Sequence, residues 1–169
     1  MATNNHLQIK RDLQNKKLNV VRHFDAPVDH VWRAWTESEL LDQWWAPKPY
    51  HTETKTMQFK PGGFWLYAMV GPDASKMWCK FEYTSINPQK TFEGFDMFCD
   101  ENGNKNPEFP SMTWHNEFQP IADGTKVIVN ISFPSDEAMN KILEMGLEEG
   151  FSAALVNLDE LLATEKVQG

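Results

Sequence analysis

Apolar and polar positions alternate with period two along most of this chain and switch to helical spacing in two places. "HLQIKR" and "KKLNVVRHF" alternate as strands do, and "DLQN" between them has the composition of a hairpin turn. Pro27 ends the second strand and suits the first turn of a helix. In "VDHVWRAW", Val28, Val31, Trp32 and Trp35 fall on one face at helical spacing. Leu40, Leu41, Trp44 and Trp45 repeat that arrangement before "APKP" stops it. Period two returns from His51, where "HTETKTMQF", "GFWLYAMV", "KMWCKFEYTSI", "KTFEGFDMFCD", "SMTWHNEF" and "GTKVIVNISF" predict six more strands. The breaks between them, "KPGG", "GPDAS", "NPQ", "ENGNKNPEFP" and "PIADG", carry turn residues. Ser135 then reads as an N-cap, and one long helix is expected from there to "ATEK". Its apolar stripe includes Met139, Ile142, Leu143, Gly146, Phe151, Ala154, Leu155, Leu158, Leu161 and Leu162.

This order of elements predicts an α+β fold: a curved antiparallel sheet with the long C-terminal helix lying across its concave face. The sheet is wider than one helix, so part of the concavity is left as a cavity, roughly a few hundred Å³ in ligand-binding folds. Residues 1–16 are expected to form an N-terminal edge strand or hairpin arm, and residues 17–169 a single domain. There are no internal repeats and no low-complexity linker.

The 169 residues carry a formal net charge of −8, which argues against nucleic acid or an anionic membrane surface as partner. Only two cysteines, Cys79 and Cys99, are present, which suits a reducing cytosol. The N-terminus lacks the apolar core of a signal peptide, and a cytoplasmic protein is expected.

Candidate chemistry is sparse. The histidines are scattered without ligand spacing, so neither a metal nor a cofactor is expected. "PGG" at Pro61 to Gly63 precedes a strand and reads as a turn, and no nucleophile elbow is present. The aromatic strands carry more. By the parity of the pleat, Trp65 and Tyr67 share a face, as do Phe81 and Tyr83 on the next strand. A tight turn at Asn87-Pro88-Gln89 would make paired positions sum to about 178, opposing Tyr83 to Phe95, Phe81 to Met97 and Cys79 to Cys99. Glu93 then falls on the face of Phe95, where it either reaches water at the strand end or serves a site. Asp96 is expected on the solvated face. Gly146 and Gly150, one turn apart, either pack the helix closely on the sheet or make room for a ligand beside Phe151. Trp32 and Trp35 read as core, and Trp45 as a cavity-mouth residue. The candidate ligand-binding set is therefore Trp45, Trp65, Tyr67, Phe81, Tyr83, Glu93, Phe95, Met97, Trp114, Gly146, Gly150 and Phe151, and no catalytic residue is assigned.

Five segments in register, "RHFDAPVDHVWRAWTESELLDQWW", "FKPGGFWLYAM", "INPQK", "GTKVIV" and "EEGFSAALVNLDELL", resemble the activator of heat-shock-protein-90 ATPase homologue-like family. That family belongs to the START-like, or SRPBCC, helix-grip superfamily, and the likeness covers nearly the whole chain from Asn19. One departure is Gly150-Phe151, where the family often has Gly-Trp; the aromatic wall is kept. The resemblance implies a helix-grip domain. The superfamily includes lipid and hormone binders and aromatic polyketide cyclases, so an apolar or aromatic small molecule is the expected partner. A heat-shock chaperone is the alternative partner, and a cyclase or hydratase using Glu93 or Tyr83 as acid or base is a weaker third reading. Monomer and homodimer both remain open.

Overall fold

The alternation read from the chain builds one sheet. In the computed structural model, which describes residues 7–164, eight strands form a single curved antiparallel sheet. Residues 1–6, the start of the expected N-terminal arm, and residues 165–169, which include the end of the expected last helix, lie outside the described residues. The elements run β1 (Leu7–Asp12), β2 (Lys17–Phe24), α1 (Val28–Thr36), α2 (Ser38–Trp44), β3 (His51–Met57), β4 (Phe64–Val70), β5 (Lys76–Asn87), β6 (Thr91–Phe98), β7 (Met112–Ile121), β8 (Gly124–Ser132), α3 (Asp136–Glu144) and α4 (Leu147–Leu162). The strand order is β1-β2-β8-β7-β6-β5-β4-β3. In β8, Thr125, Val127, Val129 and Ile131 point inward and are buried, while their neighbours face out, as period two requires.

The α4 stripe closes the core. Phe151, Ala154, Leu155, Leu158, Leu161 and Leu162 are buried against the concave face and the short helices. Two polar side chains fix the helix. Asn157 donates through Nδ2 to the Ala46 carbonyl at 3.1 Å, and buried Arg22 of β2 pairs with Asp159 while its guanidinium lies over the Phe24 ring. The indoles of α1 and α2 interlock beneath: Trp35 meets Trp44, Trp45, Phe118 and Phe151 with ring centroids 5.0–6.2 Å apart. The Trp44 indole N–H donates to the Ala34 carbonyl, which satisfies a polar group that has left water.

Two expectations are corrected. The last helix is broken into α3 and α4 at Gly146, whose φ of +96° lies in the left-handed region. Glycine reaches that conformation without a Cβ penalty, and its amide closes the end of α3 by donating to the Leu143 carbonyl. Gly146 is thus a joint between helices, not a packing gap within one.

The second correction is a register slip between β5 and β6. Near the turn, Ile86 pairs with Phe92 and Ser85 with Glu93, as expected. A bulge at Thr84 then shifts the ladder by one, so Tyr83 opposes Gly94, Phe81 opposes Asp96 and Cys79 opposes Phe98. One extra residue exchanges the two faces of the partner strand. Glu93, Phe95 and Met97 therefore lie on the outer face, and Asp96 points inward. The cysteines do not oppose each other: both are free, and Cys99 bridges to Lys105 outside the sheet.

Gly94 allows this slip, because an added Cβ would stand 2.1 Å from the Glu82 carbonyl oxygen and 2.5 Å from the Phe81 ring. Gly94→Ala is expected to cost about 1–3 kcal/mol through overpacking. Urea unfolding measures this, and an unchanged midpoint would contradict the close approach.

Candidate functional site

Between the sheet and the α3–α4 pair lies a cavity of about 360 Å³. Its floor is Tyr67 and Met69 of β4, Met77 and Cys79 of β5, Asp96 and Phe98 of β6, and Met112 and Trp114 of β7. Ile142, Leu147, Gly150 and Phe151 roof it, and Trp45 and Pro47 close one end. Tyr50, Met77 and Met145, each roughly half exposed, form an apolar rim that opens to solvent.

Polar groups inside are few and connected. The Trp45 indole N–H donates to the Tyr67 hydroxyl oxygen at 3.1 Å. The Tyr67 hydroxyl and the Asp96 carboxyl both face the cavity, near enough for each to bear on the other's ionisation. Asp96 Oδ1 is buried with no hydrogen-bond partner, and so is the Trp114 indole nitrogen. Burial pushes the Asp96 carboxyl up to about 7, although the Met97 backbone amide and Tyr67 pull it down. Burial also drives the Tyr67 hydroxyl and the Cys79 thiol well above their ordinary ranges, so both stay protonated and the thiol is unreactive.

The structure divides the sequence-derived candidates into three groups. Trp45, Tyr67, Trp114, Gly146, Gly150 and Phe151 line the cavity. Trp65, Phe81 and Tyr83 surround a separate void of about 10 Å³ deeper in the core, beside the Asn116 side-chain amide, which is buried without a partner. Glu93, Phe95 and Met97 fall on the sheet face away from the cavity: Phe95 is exposed, Met97 is buried there, and Glu93 Oε2 meets His115 Nδ1 at 2.5 Å in a half-exposed pair. The acid–base pair considered above therefore does not converge: Tyr83 faces the core and Glu93 the outer surface. Sequence reasoning missed Asp96, because both faces of "TFEGFDMF" carry aromatic residues and parity alone does not choose between them. Gly94 was the available signal, since glycine within a strand marks a bulge or close approach.

Among the described residues no group of three or more His, Cys, Asp or Glu could hold a metal ion, and no helix is long and apolar enough to cross a membrane.

The Asp96 carboxyl makes a signed prediction. Its folded-state pKa is raised above the unfolded carboxylate value near 4, so its contribution to stability is full below about pH 4 and is lost as pH rises through 7. Asp96→Asn removes the ionisation and should gain roughly 2–4 kcal/mol over the wild type at about pH 8, with the gain vanishing near pH 4. Parallel thermal melts test this; a gain that is constant with pH would show that Asp96 ionises freely.

A family model described as Activator of Hsp90 ATPase homolog 1-like protein matches residues 25–163. Among solved structures, protein Ms6760 of Mycobacterium smegmatis is 32% identical with a TM-score of 0.86, the match covering 93% of this chain and 97% of that one. A protein from Arthrobacter aurescens is 31% identical with a TM-score of 0.87, covering 92% and 91%. The AHSA1 protein of Silicibacter pomeroyi, at 19% identity and a TM-score of 0.69 over 87% and 97%, shares the fold. No curated protein matches the chain. Its fold is the START-like, or SRPBCC, helix-grip, and the match over residues 25–163 shows that the chain belongs to the Activator of Hsp90 ATPase homolog 1-like protein family.

Proposed function

We propose that this protein binds one small, mainly apolar molecule in the cavity between the sheet and α3–α4. The cavity itself carries the reading: its volume of about 360 Å³ falls in the range of ligand pockets, roughly 300–1,000 Å³. Its walls fit the same role. Trp45, Trp114 and Phe151 offer ring faces and edges, and Met69, Met77, Met112 and Met145 offer unbranched thioethers that adapt to a ligand's shape. The half-exposed rim gives an apolar ligand a graded path out of water. The fold commonly houses hydrophobic ligands, which supports the reading without naming the molecule. Regulation of a heat-shock ATPase, the role in the family's name, is the second reading. It predicts that saturating protein changes the ATPase rate, and an unchanged rate removes it.

Gly150 offers a clean test. It sits inside α4 with ordinary backbone geometry, and an added Cβ would meet only Pro47 at 3.7 Å. Gly150→Leu should raise helix stability by up to about 1 kcal/mol while its side chain occupies the cavity. Titration of intrinsic tryptophan fluorescence with an apolar aromatic probe should then show at least about a tenfold loss of affinity. Unchanged affinity in a variant that melts no lower than wild type would place binding elsewhere.

A further inference from the structure

We infer that the ligand is an apolar amine, a hydrocarbon body carrying one ammonium group that donates to Asp96 while its charge lies against the surrounding rings. This rests on the binding reading above and specifies its ligand class. Asp96 Oδ1 is a buried acceptor without a partner, in a cavity whose lining includes no Lys, Arg or His. A buried carboxylate without a cation is costly, so either it holds a proton or a cation is supplied. An ammonium supplies it, and the low dielectric of the cavity strengthens the attraction.

The rings match the same group. Trp45, Trp114 and Phe151 are mutually in contact, with centroids 5.4–6.0 Å apart, and Tyr67, which accepts from the Trp45 indole, lines the cavity with Asp96. Electron-rich faces beside a carboxylate favour an organic cation over a neutral or anionic group. A fatty acid or other carboxylate would instead meet Asp96 with like charge and find no basic side chain. The chain's net charge of −8 also draws cations toward it. The Trp114 N–H, a donor, takes no part in holding the ammonium.

Amine binding should depend on pH through one group. The titratable groups in the cavity with Asp96 are Tyr67 from β4, Cys79 from β5 and Tyr50 from the segment after α2, and Cys99, just past β6, also feels its charge; β7, α3 and α4 bring none to the cavity. Tyr67 and Cys79 stay protonated. The free protein holds a proton on Asp96 below about pH 7, and seating an ammonium releases it to solvent. Amine affinity therefore rises with pH through that range, whereas the affinity of an uncharged isostere does not.

Calorimetric titration of the full chain with 1-naphthylmethylamine and with 1-naphthylmethanol tests this in wild type and Asp96→Asn. At about pH 8 the wild type should bind the amine at least roughly tenfold more tightly than the alcohol, and that preference should shrink about thirtyfold by pH 5.5. Asp96→Asn should keep alcohol binding, which shows that the variant is folded and its cavity intact, and lose the preference for the amine. Equal affinities at pH 8, or a preference that survives Asp96→Asn, overturns the amine assignment and leaves the cavity reading in place. Binding of neither probe by the wild type overturns the binding reading, and the amine assignment with it.

Discussion

Trp45 holds the molecule's layers together. Its indole touches the rings of Trp35, Trp44, Trp65, Trp114 and Phe151, so one side chain at the end of α2 contacts α1, β4, β7 and α4. Edge-to-face contacts of this kind are directional, each worth about 0.5–1.5 kcal/mol beyond the area they bury. They therefore fix how the short helices sit against the sheet as well as attracting them. The long helix can then reach over only part of the concavity. The indole cluster fills one end, and the other end is left as the cavity.

The same residue links packing to chemistry. By donating to the Tyr67 oxygen, Trp45 orients the phenol, which faces the cavity together with Asp96. A rigid aromatic frame thus holds a carboxyl group inside an apolar pocket with one oxygen unpaired. Such a group works against stability, and residues kept at that cost are often ones that meet a ligand. The contrast with Arg22 and Asp159 is instructive: there a buried charge has its partner, and the pair ties α4 to β2.

Membership in the family settles the scaffold and leaves its use to the residues of the cavity, since one fold hosts many functions. The relatives from Mycobacterium smegmatis and Arthrobacter aurescens match this chain along nearly its whole length, so the comparison concerns the entire domain. What separates one helix-grip protein from another is which side chains face the groove. Here these are chiefly rings, methionines and small or aliphatic groups, with one aspartate.

Strand number, helix positions and the helix-grip arrangement were legible in the chain because period two and helical spacing report directly which positions leave water. Of the residues singled out along the chain, Trp45, Tyr67, Trp114, Gly150 and Phe151 lie at the cavity. The face of β6 was not legible. "TFEGFDMF" offers aromatic residues on both sides, and a bulge at Thr84 of the neighbouring strand decides which side turns inward. That bulge depends on Gly94 lying beneath the Glu82 carbonyl and the Phe81 ring, a contact between strands that no local pattern encodes. The break at Gly146 was hidden for a similar reason: its apolar spacing suits one continuous helix, and only closure over the curved sheet selects the left-handed turn. The amino-acid sequence by itself determined the elements and their buried faces. The tertiary structure alone decided that Asp96, not Glu93, stands in the cavity, because one inserted residue exchanges the two faces of a paired strand.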